Sequence, residues 1–129
     1  MGASSEAAHS KKLGELGEKA ARRYIERMGF TILDTNFCCT YGKVDIVASE
    51  RDSLVFLEVR TRSSNLLGWS EESITPRKER NLIATAETYL QSRTDLPYNW
   101  RIDLVTVDVD RKGHITRIDR TENAISNGL

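Results

Sequence analysis

Asp45 and Glu58 are the residues of this chain most suited to chemistry, and they lie on either side of a short polar turn. That turn, Glu50-Arg51-Asp52-Ser53, joins two apolar runs, Val44–Ala48 and Leu54–Val59. Runs rich in β-branched and aromatic residues around such a turn predict an antiparallel hairpin. With the turn centred between Arg51 and Asp52, Val44, Ile46 and Ala48 share a face with Val59, Leu57 and Val55. That face is wholly apolar and must pack on a core. The other face sets Asp45 beside Glu58, and Lys43 opposite Arg60. Like charges directly opposite one another destabilise a sheet, and a cation held between them removes the conflict. Mg²⁺ suits the place: it is usually held by one or two carboxylates, with waters and substrate phosphates completing its shell. The backbone carbonyl of Val59 offers a further ligand. A metal there generates a nucleophile from water and stabilises charge on a phosphodiester oxygen. Arg60, two residues beyond Glu58, points to the same side and reaches a phosphate. The competing reading is a solvated acidic pair with Lys43 and Arg60 as its ion partners.

The elements that must position these residues follow from periodicity. Leu13, Leu16, Ala20, Tyr24 and Met28 recur at helical spacing and predict an amphipathic helix over 13–28, with Gly29 placed to end it. Gly17 permits a close backbone approach on that helix. Thr31–Leu33 and Phe37–Tyr41 read as short strands ahead of the hairpin. Leu82, Ile83, Ala86 and Leu90 predict a helix over 76–91, with Thr75 as its N-cap and Pro76 as its first residue. Ile102–Val109 and His114–Ile118 form a last strand pair. The order of helix, strands, helix and two strands predicts an α/β domain with a mixed sheet.

Composition narrows the function classes. The chain has 129 residues, a length that suits one domain, with a 1–12 tail expected to be disordered, a domain over 13–125 and a short tail at 126–129. Its longest apolar run is the four residues Leu54–Leu57, too short for a membrane span or a secretory segment, so no membrane partner and a cytoplasmic location are expected. Lys and Arg number 19, as do Asp and Glu, which excludes indiscriminate coating of nucleic acid but leaves room for local grip on a phosphate backbone. Cys38 and Cys39 are adjacent, and adjacency disfavours a disulfide. With His9 and His114 remote in sequence, no zinc-ligand spacing appears. Trp69, after Gly68, is a residue for base stacking or for loop packing.

Gly42-Lys43-Val44-Asp45-Ile46-Val47-Ala48, followed by Val55-Phe56-Leu57-Glu58-Val59-Arg60-Thr61-Arg62, closely resembles the bacterial YraN family. That family is similar to the PD-(D/E)xK restriction-endonuclease-like nucleases, near the archaeal Holliday junction resolvases. Further matching stretches are Gly14-Glu15-Leu16-Gly17-Glu18-Lys19-Ala20, the Gly29-Phe30 and Asn36 region, Gly68, Thr75-Pro76-Arg77-Lys78, and Arg101-Ile102-Asp103-Leu104-Val105.

The resemblance implies a restriction-endonuclease-like three-layer domain, with a central mixed β-sheet flanked by helices. It implies an endonuclease acting on DNA, branched DNA included, with Mg²⁺ or Mn²⁺ as cofactor, and it admits a homodimer. Asp45 and Glu58 match the metal-binding acidic positions, and Glu18 matches an acidic residue that completes the metal site in related resolvases. From spacing alone, Glu18 is also an ordinary helix carboxylate within reach of Arg22. The catalytic set expected is therefore Glu18, Asp45, Glu58 and Arg60; the metal set is Asp45, Glu58 and Val59; the nucleic-acid set is Lys43, Arg62, Arg77 and Lys78. The chain departs from the family pattern twice, with Lys43 in place of Glu and Arg60 in place of Lys. Arg stays protonated and cannot serve as a general base, although it can stabilise transition-state charge. Lys43 or Lys78 restores a lysine to the site, and some members of the broader fold carry that lysine on the following helix. The alternative is a nucleic-acid-binding module that keeps the fold without the chemistry.

Overall fold

The computed structural model describes residues 2–63, 74–97 and 99–125, with side chains from residue 11 onward. Helix α1 spans Gly2–Arg27, followed by strands β1 (Thr31–Cys39), β2 (Gly42–Glu50) and β3 (Ser53–Ser63). Helix α2 (Pro76–Gln91) and strands β4 (Asn99–Val109) and β5 (Ile115–Ile125) complete the chain. The backbone of α1 starts at Gly2 rather than near Leu13, so residues expected as a disordered tail extend the helix. Gly68, Trp69 and the 126–129 tail lie outside the described residues.

The five strands form one sheet in chain order, β1-β2-β3-β4-β5. Every pairing is antiparallel except β3 with β4, which runs parallel and is bridged by α2. A parallel connection needs a crossover, and a helix supplies it. Alternation along the strands then sends side chains to two cores. Ile46, Ala48, Val55, Leu57, Val105 and Val107 pack with Ala21 and Ile25 of α1. Val47, Leu54, Phe56 and Ile102 pack with Leu82, Ala86 and Tyr89 of α2. The helices thus cover opposite faces of a central mixed sheet, the three-layer α/β arrangement of a restriction-endonuclease-like domain. Among the described residues, no helix is long and apolar enough to cross a membrane.

Three details position the functional residues. At Gly17, an added Cβ would fall 1.8 Å from Thr61 Oγ1, so the α1 backbone lies directly on β3. Gly29, at φ 98°, ends α1, and the Phe30 N–H reaches back to the Ile25 carbonyl at 3.0 Å. Thr75 caps α2 as expected, its hydroxyl accepting from the Lys78 N–H at 3.2 Å, with Pro76 opening the helix.

The sheet departs from expectation at β1, at Val44 and at β5, which runs to Ile125 rather than ending at Ile118. The two short strands expected over 31–41 are one strand, β1, which absorbs a bulge between Ile32 and Asp34 and a left-handed Asn36 at φ 53°. Val44 does not join Ile46 and Ala48 on the α1 face. It packs in the α2 core beside Phe37, because the strict alternation of β2 is lost where the β2–β3 ladder ends.

Candidate functional site

The β2–β3 ladder runs from Glu50↔Ser53 to Ile46↔Leu57, in the register that the turn centre implies. The next residues in that register are Asp45 and Glu58. Here Asp45 Oδ2 accepts the Val59 N–H at 2.7 Å, so a side chain takes a backbone donor that a continuing ladder would have used. Asp45 is 6% exposed. Burial, followed by the charge and hydrogen bonding of Asp45, pushes the Glu58 carboxyl up to about 8, against the opposing pull of Arg60 and Lys78. The two carboxylates therefore interact strongly, and the nearness of Asp45 disfavours ionisation of Glu58.

Two depressions flank this pair. The larger, about 580 Å³, lies between α1 and the sheet and is lined by Glu15, Glu18, Lys43, Asp45, Glu58 and Val59, with Thr61 and the Lys11–Gly14 segment around them. The smaller, about 210 Å³, lies on the α2 side and is lined by Lys43, Glu58, Arg60 and Lys78, with Asn81 and Thr85 behind them. Lys43 and Glu58 face both. The α1-side groove is predominantly acidic, whereas the α2-side groove gathers three cationic side chains around Glu58.

Glu18 reaches the acidic groove because Gly17 seats α1 against Thr61. Its Oε1 is buried without a hydrogen-bond partner among the described residues. A buried carboxylate oxygen without a donor is unfavourable unless a cation or donor meets it. Among the described residues, no three His, Cys, Asp or Glu side chains come together as a metal-holding group. Asp45 and Glu58 as a pair fit the requirement of an ion that keeps waters and phosphate oxygens in its shell.

The cations sort differently. Lys43 Nζ lies 3.3 Å from Asp45 Oδ1 and 3.3 Å from Asn36 Oδ1. Burial alone would lower the Lys43 ammonium, but Asp45, Glu18 and Glu58 outweigh it and hold the group above its ordinary value. Arg60 and Lys78 lie in the α2-side groove, so β3 and the first turn of α2 converge on Glu58. Arg62 lines neither groove; its Nε and Nη2 bind Asp108 Oδ1 and Oδ2 at 2.8 and 3.1 Å across β3 and β4. Arg77 is exposed on the first turn of α2 and also lines neither. Asn36, Asn81 and Thr85 were not singled out for roles in the sequence. Only Asn36 carried a signal, since Asn is among the residues that tolerate a left-handed backbone.

Besides Asp45, the buried carboxylates among the described residues are Asp108, paired with Arg62, and Asp103. Asp103 on β4 is 0% exposed and accepts from Arg101 Nε at 3.0 Å, Arg101 Nη2 at 3.2 Å, Arg120 Nη1 at 3.0 Å and the Asn123 N–H at 2.8 Å. Arg101 also bonds Glu50 at 2.9 Å, and Arg120 stacks over Phe30.

Residues 17–107 match the model of the uncharacterised protein family UPF0102. The chain is 43% identical over 114 residues to a UPF0102 protein of Pelotomaculum thermopropionicum, covering 88% of this chain and 95% of that relative. It is 37% identical over 115 residues to one of Clostridium acetobutylicum, covering 89% and 94%. A relative in Chloroflexus aurantiacus is 42% identical over 117 residues, covering 89% and 93%.

Proposed function

The chain belongs to the UPF0102 family, and from the groove it carries we propose that it is a divalent-metal-dependent endonuclease hydrolysing DNA phosphodiester bonds in the bacterial cytoplasm, with branched DNA as the substrate to test first. The observation that carries this reading is the Asp45–Glu58 pair: a buried and a half-buried carboxylate set against each other at the open end of a hairpin, beside the donorless Oε1 of Glu18. A protein that needed only stability would do better with an apolar pair there, since like charges side by side on a sheet are destabilising.

Asp45 and Glu58, with the Val59 carbonyl, are the groups to hold Mg²⁺ or Mn²⁺. Such an ion supplies Lewis acidity, lowering the pKa of an attacking water and neutralising charge on a phosphodiester oxygen. The chain's own residues do the rest. The Val59 N–H fixes Asp45 through Oδ2, while Oδ1 holds the Lys43 ammonium at 3.3 Å. Glu18 contributes a third carboxylate from α1, in place to orient water. Arg60 and Lys78 on the α2 side meet the non-bridging phosphate oxygens, where fixed positive charge stabilises the transition state. Arg60 takes no proton in this scheme, because a guanidinium stays protonated.

A cleavage panel of four-way junctions, flaps and linear duplexes with Mg²⁺ or Mn²⁺ tests the proposal. Activity on at least one substrate, lost in Asp45→Ala, is the expected result. An inactive wild type that also binds no divalent ion by calorimetry would overturn it.

One observation favours a second reading, a DNA-binding module without catalysis. Lys43 already places an ammonium on Asp45 Oδ1, as a decayed metal site would. In that case the double variant Lys43→Glu/Arg60→Lys gains metal-dependent cleavage that the wild type lacks.

A further inference from the structure

The two oxygens of Asp45 have different partners. Its Oδ2 accepts the Val59 N–H at 2.7 Å, so Oδ1 is the less engaged atom for a competing cation. Lys43 Nζ is there already, at 3.3 Å. The ammonium has a second anchor, Asn36 Oδ1 at 3.3 Å, presented from β1 by the left-handed backbone of Asn36. That anchor sits on the strand next to β2, where Cys38 pairs with Lys43. Yet the Lys43 side chain is 50% exposed and faces both grooves. Rotation about its flexible stem carries Nζ from the acidic groove to the cationic one without a backbone change.

We infer that Lys43 is an internal counter-cation, positioned by Asn36, which keeps Asp45 Oδ1 from divalent ions until a phosphodiester in the α2-side groove draws the ammonium away. The inference rests on the metal-dependent reading above and names what regulates that site. No bond forms or breaks; one ion pair is exchanged for another. Lys43 moves from a carboxylate to a phosphate, and the vacated carboxylate oxygen becomes a metal ligand. The exchange couples the two ligands, and the coupling is reciprocal: phosphate strengthens metal binding, and metal strengthens phosphate binding. Without substrate the site stays closed by a cation of its own, which also screens the acidic pair.

Calorimetry with Mn²⁺ alone, on wild type, Lys43→Met, Lys43→Arg and Asn36→Gly, reads the first half. A half-exposed ion pair is weak, so Lys43→Met is expected to bind Mn²⁺ about two- to fivefold more tightly. Asn36→Gly keeps the left-handed backbone and removes the anchor; it shifts affinity in the same direction by less. Lys43→Arg stays near wild type. Fluorescence anisotropy on labelled duplex DNA in chelator, over a salt series, reads the second half. Lys43→Met should lower the slope of log K against log salt by about one phosphate's worth. Mn²⁺ affinity that is unchanged or weaker in Lys43→Met overturns the inference, as does an unchanged salt slope. Asp45→Ala separates the two levels. If it binds Mn²⁺ like wild type, the metal site itself is misplaced; if it loses binding while Lys43→Met changes nothing, only the counter-cation role fails.

Discussion

Asp103 and Asp45 are buried on neighbouring parts of one sheet, and their surroundings are opposite. Asp103 has two guanidinium groups and a backbone N–H, each within 3.2 Å, so its charge is answered on every side. Asp45 has one backbone donor, one half-exposed lysine and a second carboxylate against it. The first arrangement ties β4 to β5 and, through Arg101 and Glu50, to the hairpin turn. The second leaves an acidic pair in repulsion beside an open groove. Buried charge serves stability where its partners are fixed and fully bonded, and serves binding where they are incomplete.

The sharpest way to break this contrast is to remove each carboxylate. Asp103→Ala takes Arg120 Nη1 and the Asn123 N–H off their acceptor and leaves Arg101 to Glu50 and Glu122, and should cost about 3–5 kcal/mol in urea unfolding. Asp45→Asn keeps an acceptor for the Val59 N–H and relieves the repulsion, so its stability should stay within about 1 kcal/mol of wild type or rise. Equal losses in the two variants would erase the distinction.

A pH series sharpens it further. Glu58 holds its proton up to about 8 in the folded protein, but an unfolded glutamate releases it near 4.3. Between those values the folded state binds more protons, so metal-free stability should fall as pH rises from about 4.3 to about 8, by a few kcal/mol at most. Glu58→Gln should flatten that slope and leave the protein more stable than wild type at pH 8. An identical slope in both would show that the acidic pair does not carry the effect.

The smallest expected effect concerns how α1 is seated. Gly17→Ala places a Cβ against Thr61 and should destabilise by about 1–3 kcal/mol, the usual range for overpacking. Adding Thr61→Ala removes the hydroxyl and methyl and should recover part of the loss. Thermal unfolding of the single and double variants reads both; a neutral Gly17→Ala would mean that α1 is not held at that point.

Much of this arrangement was readable from the residues. The hairpin register followed from the turn and the apolar alternation, because a one-residue slip would have turned every core side chain outward. Thr75-Pro76 marked the start of α2 through capping chemistry alone. Gly17 was readable as a contact residue because a glycine inside an apolar-periodic helix otherwise only weakens it. Other features depend on pairings that local pattern does not contain. Arg101 and Arg120 meet at Asp103 only after β5 folds back onto β4. The Val59 N–H turns to Asp45 only because the ladder stops at Ile46↔Leu57. The pairing of Arg62 with Asp108 likewise needs β4 beside β3. In each case the deciding partner is distant in sequence.

The parallel pairing of β3 with β4 has a consequence for how the molecule is made. Glu18, Asp45, Glu58 and Arg60 all precede the α2 crossover, whereas Asp103 and its partners from Arg101 to Asn123 follow it. A ribosome therefore releases the repelling carboxylates first and the strand that braces them last. Docking of β4 along β3, from Ser53↔Asn99 to Ser63↔Val109, is the late, long-range step that slows folding in such topologies. The same step turns a nascent hairpin into a finished groove, so a chain halted before β4 carries the acidic residues without the site.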